Sequence, residues 1–107
     1  MANTYVNATV DLTTTNITTL YTCAALTTSI AKSIIVSEDS GNADTITLTL
    51  TNASGAVFSL FKTKAISSNA TLELLTAPLV LQAGDILKVT AATADRLHVV
   101  ASILEIT

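Results

Sequence analysis

The sequence predicts a single all-β domain, either an antiparallel β-sandwich or a jelly-roll-like barrel of about eight strands. Its 107 residues suit one domain. Apolar and polar residues alternate along short segments, and turn-forming residues separate these segments at spacings of about ten residues. No segment sustains the 3.6-residue apolar period of an amphipathic helix. The domain is expected to span residues 1–107, with residues 1–16 as a possible N-terminal strand or arm.

The N-terminal part of the chain alternates weakly. Asn3–Val10 is predicted as a short strand because Val6, Ala8 and Val10 recur at every second position, and Ile17–Cys23 is predicted as a second short strand. The threonine-rich stretch between them, from Asp11 to Thr19, has no core pattern and favours a loop or arm. We therefore expect residues 1–16 to order on docking, and their removal to leave a folded domain.

The middle of the chain carries the clearest strand signals. Ser29–Glu38 is apolar on both faces near its centre, which suits a central strand or a strand covered on two sides. Thr45–Asn52 alternates without a fault, with threonines on the opposite face from isoleucine and leucine. After an Asn-Ala-Ser-Gly turn, Ala56–Lys62 is predicted to return as its hairpin partner.

The remaining third of the sequence predicts four more strands. They are separated by turns rich in Ser, Asn, Gly and Asp, and a turn or one turn of helix precedes the last strand. These segments are Thr71–Thr76, Leu79–Leu81, Ile86–Thr90 and Leu97–Ile106.

The composition excludes several classes of partner. Only 12% of the residues are charged, against about 25% in an average soluble domain. With a net charge of −3, the chain is not expected to bind nucleic acid or anionic membranes. Half of the residues are hydrophobic, so part of the surface is expected to be covered by copies of the chain or by a larger body.

The sequence also bears on the compartment. No basic segment followed by an apolar run of secretory type is present at the start. The longest apolar stretches, such as Cys23–Leu26, are far too short to span a bilayer. Synthesis in a cytoplasm without a signal peptide is expected, with Cys23 reduced.

Few residues could support catalysis or bind a metal. The single histidine, His98, and the single cysteine, Cys23, cannot form the usual zinc site. The three glycines are isolated, which excludes a glycine-rich phosphate loop. We expect no catalytic residue, metal or cofactor, although a triad of Cys23, His98 and Asp85 remains an alternative. The acidic residues around Asp39 favour a solvated hairpin tip over a weak Ca²⁺ site.

The sequence instead suggests an interface. Polar and aromatic residues of the N-terminal region, together with the lone histidine, are the candidates for contacting a partner. They are Tyr5, Val6, Thr13, Thr14, Asn16, Tyr21 and His98. A carbohydrate-binding or adhesion module that uses the two tyrosines is the alternative from another class.

An ordered series of segments resembles small structural proteins of tailed bacteriophage particles. The resemblance begins with Ile17-Thr-Thr-Leu-Tyr-Thr-Cys23 and Thr27-Thr-Ser-Ile-Ala-Lys-Ser-Ile-Ile-Val36, which look like a hairpin that opens the sandwich. It continues through Leu72-Glu-Leu-Leu75, Leu81-Gln-Ala-Gly-Asp-Ile-Leu-Lys-Val89 and Ser102-Ile-Leu-Glu-Ile106. It covers most of residues 17–106 but not the first sixteen.

The resemblance implies a virion structural protein without enzymatic activity. Capsid decoration, or cement, is the role it favours, with the chain binding the outer shell as a homotrimer and stabilising it. A neck or tail-fibre component is the alternative. The expected partners are further copies of the chain and a major capsid or other virion protein, and the expected location is the virion.

Overall fold

A computed structural model describes residues 2–107, which form nine β-strands in two antiparallel sheets. The strands are β1 (Asn3–Asp11), β2 (Thr18–Thr22), β3 (Thr28–Glu38), β4 (Asp44–Thr51), β5 (Val57–Ile66), β6 (Thr71–Glu73), β7 (Leu79–Leu81), β8 (Ile86–Ala91) and β9 (Leu97–Ile106).

The strand order is that of a jelly roll. One sheet has the order β1-β9-β3-β6, with β7 also paired to β3, and the other has the order β2-β8-β4-β5. The first strand thus pairs with the last, β2 pairs with β8, β3 pairs with β6 and β7, and β4 pairs with β5. These pairs lie alternately in the two sheets. A long antiparallel hairpin wrapped in this way defines the double-sheet jelly roll. The predicted antiparallel β-sandwich is confirmed.

Strict alternation places the core between the sheets. On β4, Ile46 and Leu48 are fully buried, while the threonines between them face outward and are half-buried. Strands β8 and β9 alternate in the same way. The predicted β4–β5 hairpin is confirmed, with Leu50 opposite Phe58.

The predicted hairpin of the second and third strands is wrong. Strand β2 pairs with β8, whereas β3 pairs with β9, β6 and β7 in the other sheet. The connection between β2 and β3 therefore crosses from one sheet to the other. Backbone hydrogen bonds between Cys23 and the β7–β8 turn hold its start: the Cys23 amide donates to Asp85 O and the Gly84 amide donates to Cys23 O.

The N-terminal segment is part of the folded domain rather than an arm that orders on docking. Strand β1 pairs with β9 along its whole length. Leu12, within the supposed loop, is only 1% exposed and belongs to the core. Its amide donates to Leu97 O, and its carbonyl accepts from the Asp95 amide. A single buried leucine leaves no periodic signal, so the sequence pattern missed it.

Candidate protein-binding surface

The outward-facing side of the five-stranded sheet carries a row of apolar side chains across four strands. Tyr5 lies opposite Leu104, which lies opposite Ile30, which in turn lies opposite Val80. Residues directly opposite in an antiparallel sheet share a face and lie close enough to contact. Tyr5 is 71% exposed and Val80 is 56% exposed, so this row is open to solvent.

A second, shorter apolar row runs parallel to the first. Val100 lies between Thr9 and Ile35 in the register, and both Val100 and Ile35 are exposed. We call the two rows together the apolar outer face. It consists of Tyr5, Ile30, Ile35, Val80, Val100 and Leu104.

The nearest charged groups on this side have partners of their own. The Lys32 ammonium lies 5.8 Å from the centre of the Tyr5 ring, within cation–π range. The Glu73 carboxylate accepts from the Ile34 amide at 2.8 Å and from the Ser33 hydroxyl. Both groups border the rows, because Lys32 lies over the Tyr5 ring and Glu73 lies directly opposite Ile35 in the register. A partner that covers the rows would therefore meet two ions whose charges already have partners within the fold.

The other sheet presents a different outer face. Thr45, Thr47, Thr49 and Thr51 line the outward side of β4, and Lys88 and Thr90 lie beside them on β8. The hydroxyl groups and the ammonium remain well hydrated without a partner. The apolar residues on this side, Val57 and Ile86, lie at one end of the face, opposite Thr51. The two outer faces therefore differ in chemistry, and the apolar one is the candidate for binding protein.

Only one of the predicted interface residues lies in this face. Tyr5 is part of it, whereas the Val6 side chain packs against the core. His98 is on the same side of the sheet but six residues along β9 from Leu104, which corresponds to roughly 20 Å. These predicted interface residues therefore do not share one surface.

His98 joins two acidic residues from different elements. Its Nε2 lies 3.2 Å from Asp11 Oδ1 and its Nδ1 lies 3.4 Å from Asp39 Oδ2. Asp11 ends β1 and Asp39 follows β3. The protonated ring, which has an N–H on each nitrogen, can satisfy both carboxylates at once. His98 thereby links the end of β1 to the turn that follows β3.

The predicted polar residues before β2 occupy an exposed loop. The Asn16 amide donates to the Thr14 hydroxyl at 3.3 Å, and the Thr18 hydroxyl donates to Asn16 O at 3.1 Å. Thr13 is exposed, and its amide donates to Asp11 O. Such short-range bonds stabilise the turn itself, and this loop is adjacent to the His98 end of the sheet.

Tyr21 connects the two sheets instead of offering a platform to a ligand. Its hydroxyl lies 2.8 Å from Ser29 Oγ and donates to the Glu105 carboxylate. Burial is the main cause and the hydrogen bond to Glu105 is the second, and together they raise the pKa of Tyr21 to about 12. The phenol therefore stays neutral and continues to donate this hydrogen bond over the physiological pH range.

The alternative triad is not assembled. Cys23 is buried, with its Sγ 3.3 Å from Ser29 Oγ and 3.4 Å from Thr27 O. Asp85 meets Cys23 only through the backbone, and the carboxylate of Asp85 accepts from the Gln82 amide. The two nitrogens of His98 face Asp11 and Asp39, on the outer side of the other sheet.

The acidic turn after β3 is solvated at Asp39, as predicted, but the acidic residues at its two ends, Glu38 and Asp44, are buried. Glu38 is 2% exposed, and its carboxylate accepts from the backbone amides of Ser40, Gly41 and Asn69. Burial of this carboxylate opposes its ionisation. The Ser40 hydroxyl and the three amides outweigh burial, however, and lower the pKa of Glu38 to about 2. Glu38 thus fastens the β3–β4 turn to the β5–β6 turn.

This network predicts acid sensitivity. Because the pKa of Glu38 is lower in the folded chain than its ordinary value of 4.5, its stabilising effect is complete above that value and is lost as the pH falls towards 2. We expect Glu38→Gln to melt several degrees below the native protein at neutral pH and to lose less stability on acidification. Thermal melts followed by circular dichroism across this range measure both effects.

Asp95→Asn is the matched control, because Asp95 is exposed and its only hydrogen bond in the fold is made by the backbone amide. This variant should keep the native acid dependence. Equal acid slopes for the native protein and Glu38→Gln would contradict the assignment.

The sequence missed most of the apolar outer face. Apart from Tyr5, the sequence pattern places the members of this face in strands and predicts no contact with a partner for them. The one usable signal was the two-sided apolar pattern of β3, which contributes Ile30 and Ile35. Recognising the rows also requires the register of β1, β7 and β9 against one another through β3, and the sequence does not contain that register.

Within residues 2–107, no three side chains of the His, Cys, Asp and Glu types come together in a way that could hold a metal ion. The same residues contain no helix with the length and hydropathy needed to cross a membrane.

The fold and its surfaces define a jelly-roll domain with one apolar and one hydroxyl-rich outer face. No protein-family model matches the chain, and no curated protein matches it in sequence. A chain in the structure of infectious bursal disease virus, Gt strain, is similar over 98% of the present chain, with a TM-score of 0.47 and 11% identical residues. The present chain spans 30% of the length of that chain.

Proposed function

We propose that this chain is a structural protein of a virus particle that binds other virion proteins through its apolar outer face. The observation that carries the proposal is the pair of apolar rows on the five-stranded sheet, which are separated by the polar row of Asn7, Ser102 and Ser33. Exposed apolar clusters rimmed by polar residues are typical of surfaces that bind other proteins. Capsid decoration, with the chain seated on the outer shell, is the specific role, in line with the resemblance of residues 17–106 to phage structural proteins.

The chemistry of the face suits a permanent contact. Burial of apolar surface contributes about 25 cal/mol per Å², and the two ions that border the rows, Lys32 and Glu73, already have partners within the fold. Since salt screens charges but not apolar contacts, binding should persist at high ionic strength. Such a contact would stabilise a particle in varied media.

Several copies acting together would strengthen weak individual contacts. Each domain offers a face only a few strands wide, so one copy supplies a modest area. When linked copies engage neighbouring shell subunits, the second contact forms at a high effective concentration. Self-association is therefore part of the proposal, and the homotrimer implied by the resemblance remains a prediction that light scattering on the purified chain can test.

A charge placed in the face should abolish docking. Val100→Glu puts a carboxylate between Thr9 and Ile35, and its desolvation in a closed contact is costly. We expect binding to shells of the encoding virus, assembled without this protein, to weaken about tenfold or more, which corresponds to about 1.4 kcal/mol. Co-sedimentation of purified protein with such shells measures the bound fraction.

Thr49→Glu is the matched control, because Thr49 lies on the outer side of a central strand in the other sheet, next to Lys88. It should bind as the native protein does. Equal binding by Val100→Glu, or loss of native binding in about 1 M salt, would refute docking through this face. Retention of the protein on immobilised glycans, abolished by Tyr5→Ala, would support the adhesion alternative instead.

A further inference from the structure

The free edges of the two sheets are protected to very different degrees. Strand β2 has five residues and a register shift, β5 has two shifts and carries Lys62 and Lys64, and β6 and β7 have three residues each. Shortness, irregularity and lysines are the devices that discourage strand addition. Strand β1 has none of them: it runs for nine residues in unbroken register, and its only charge is the terminal Asp11.

The backbone of β1 offers hydrogen-bonding groups along this edge. Ala2 and Thr107 exchange both of their backbone hydrogen bonds, and the Leu12 amide donates to Leu97 O. In an antiparallel pair such bonded positions alternate, so the even-numbered residues of β1 bond to β9. The amides and carbonyls of Tyr5, Asn7 and Thr9 consequently point away from the sheet.

We propose that β1 is a homodimer interface, in which β1 of a second copy adds antiparallel to this edge about a two-fold axis at Asn7. Asn7 then lies opposite its own copy, and Tyr5 lies opposite Thr9 of the second copy. Both of these pairs join positions whose backbone groups are free, so each can form two hydrogen bonds.

The side chains agree with this register. Odd-numbered residues of β1 face outward and meet odd-numbered residues, while Val6 meets Ala8 of the second copy on the core side. In this register the outer sides of the two copies lie on one side of the joined sheet, and their cores lie on the other side. At the ends, Asp11 lies opposite Asn3 of the second copy, so no like charges are opposed.

Pairing at the edge would extend the five-stranded sheet into one shared by two copies. It would also place their apolar outer faces side by side, which predicts a dimer in place of the trimer implied by the resemblance.

Because residue 7 meets itself at the axis, opposite charges provide a direct test. We expect the native protein to be a dimer in sedimentation equilibrium, and Asn7→Lys and Asn7→Asp each to be monomers because like charges face each other. An equimolar mixture of the two variants should recover the dimer. Thermal melts of each variant alone verify that it is folded.

Ser102→Lys and Ser102→Asp are the matched controls. Ser102 is exposed and lies opposite Asn7 on β9, on the same face but one strand away from the axis. Both variants should remain dimers. A monomeric native protein, dimers that survive both Asn7 variants, or a mixture that stays monomeric would each overturn the proposal.

A cross-link provides a second measurement. Opposed bonded residues have Cα atoms about 5.5 Å apart, within the range a disulfide bridges. Asn7→Cys should therefore form a covalent dimer on oxidation, and Ser102→Cys should not. Failure of this proposal is distinguishable from failure of the proposed function, because Val100→Glu should remain dimeric while losing shell binding.

Discussion

Leu12→Ala is expected to lower the free energy of unfolding by about 2–5 kcal/mol, the range for truncating a buried leucine. Leu12 is 1% exposed and lies among the core side chains between the sheets. Alanine would leave a cavity there, because the backbone at this position is held by hydrogen bonds to Leu97 and Asp95. Urea denaturation followed by circular dichroism measures the change.

Leu26→Ala is the control for this prediction. Leu26 belongs to the connection between β2 and β3 and is 94% exposed, so its truncation should change stability by no more than about 0.5 kcal/mol. Equal effects of the two substitutions would mean that Leu12 lies outside the core. Removal of residues 1–16 should then leave a folded domain, whereas the structure predicts that this truncation unfolds it.

Gly84→Ala should destabilise the domain by about 2–5 kcal/mol through two separate effects. Gly84 has a φ of +89°, a region in which a side chain costs about 1–2 kcal/mol. A Cβ at this position would also lie 2.9 Å from the Cβ of Ala53, in the β4–β5 turn. Relief of such a contact costs about 1–3 kcal/mol.

The chain contains a control that separates these effects. Gly55 also has a φ of +89°, but a Cβ there would meet nothing within 4 Å. Gly55→Ala should therefore show only the backbone cost. In the double variant Gly84→Ala/Ala53→Gly, the clash should disappear and the loss should fall to that of Gly55→Ala. If the double variant is no more stable than Gly84→Ala, the two turns do not pack as described.

Local patterns predicted the strands well. The alternation of Thr45–Thr51 identified β4, and it also identified which of its faces is buried. The turn after it identified the hairpin with β5, because loop length and turn residues act over a few neighbouring positions. The two-sided apolar pattern of β3 identified a central strand, although its outer side is uncovered in the single chain.

Longer-range relations were predicted less well. The apparent hairpin of β2 and β3 consists of adjacent segments that belong to different sheets. Glu38 appeared to be a solvated residue because its partner amides include that of Asn69, thirty-one positions away along the chain.

The sequence by itself determined the all-β class, the approximate bounds of the strands, the buried side of most of them and the scarcity of charge. Only the tertiary structure decided how the strands pair, and hence that residues from four distant strands form the apolar outer face and that β1 is left as a long free edge. The physical reason is that alternation fixes the side of a sheet to which each side chain points. Which strands become neighbours depends on packing the whole core at once.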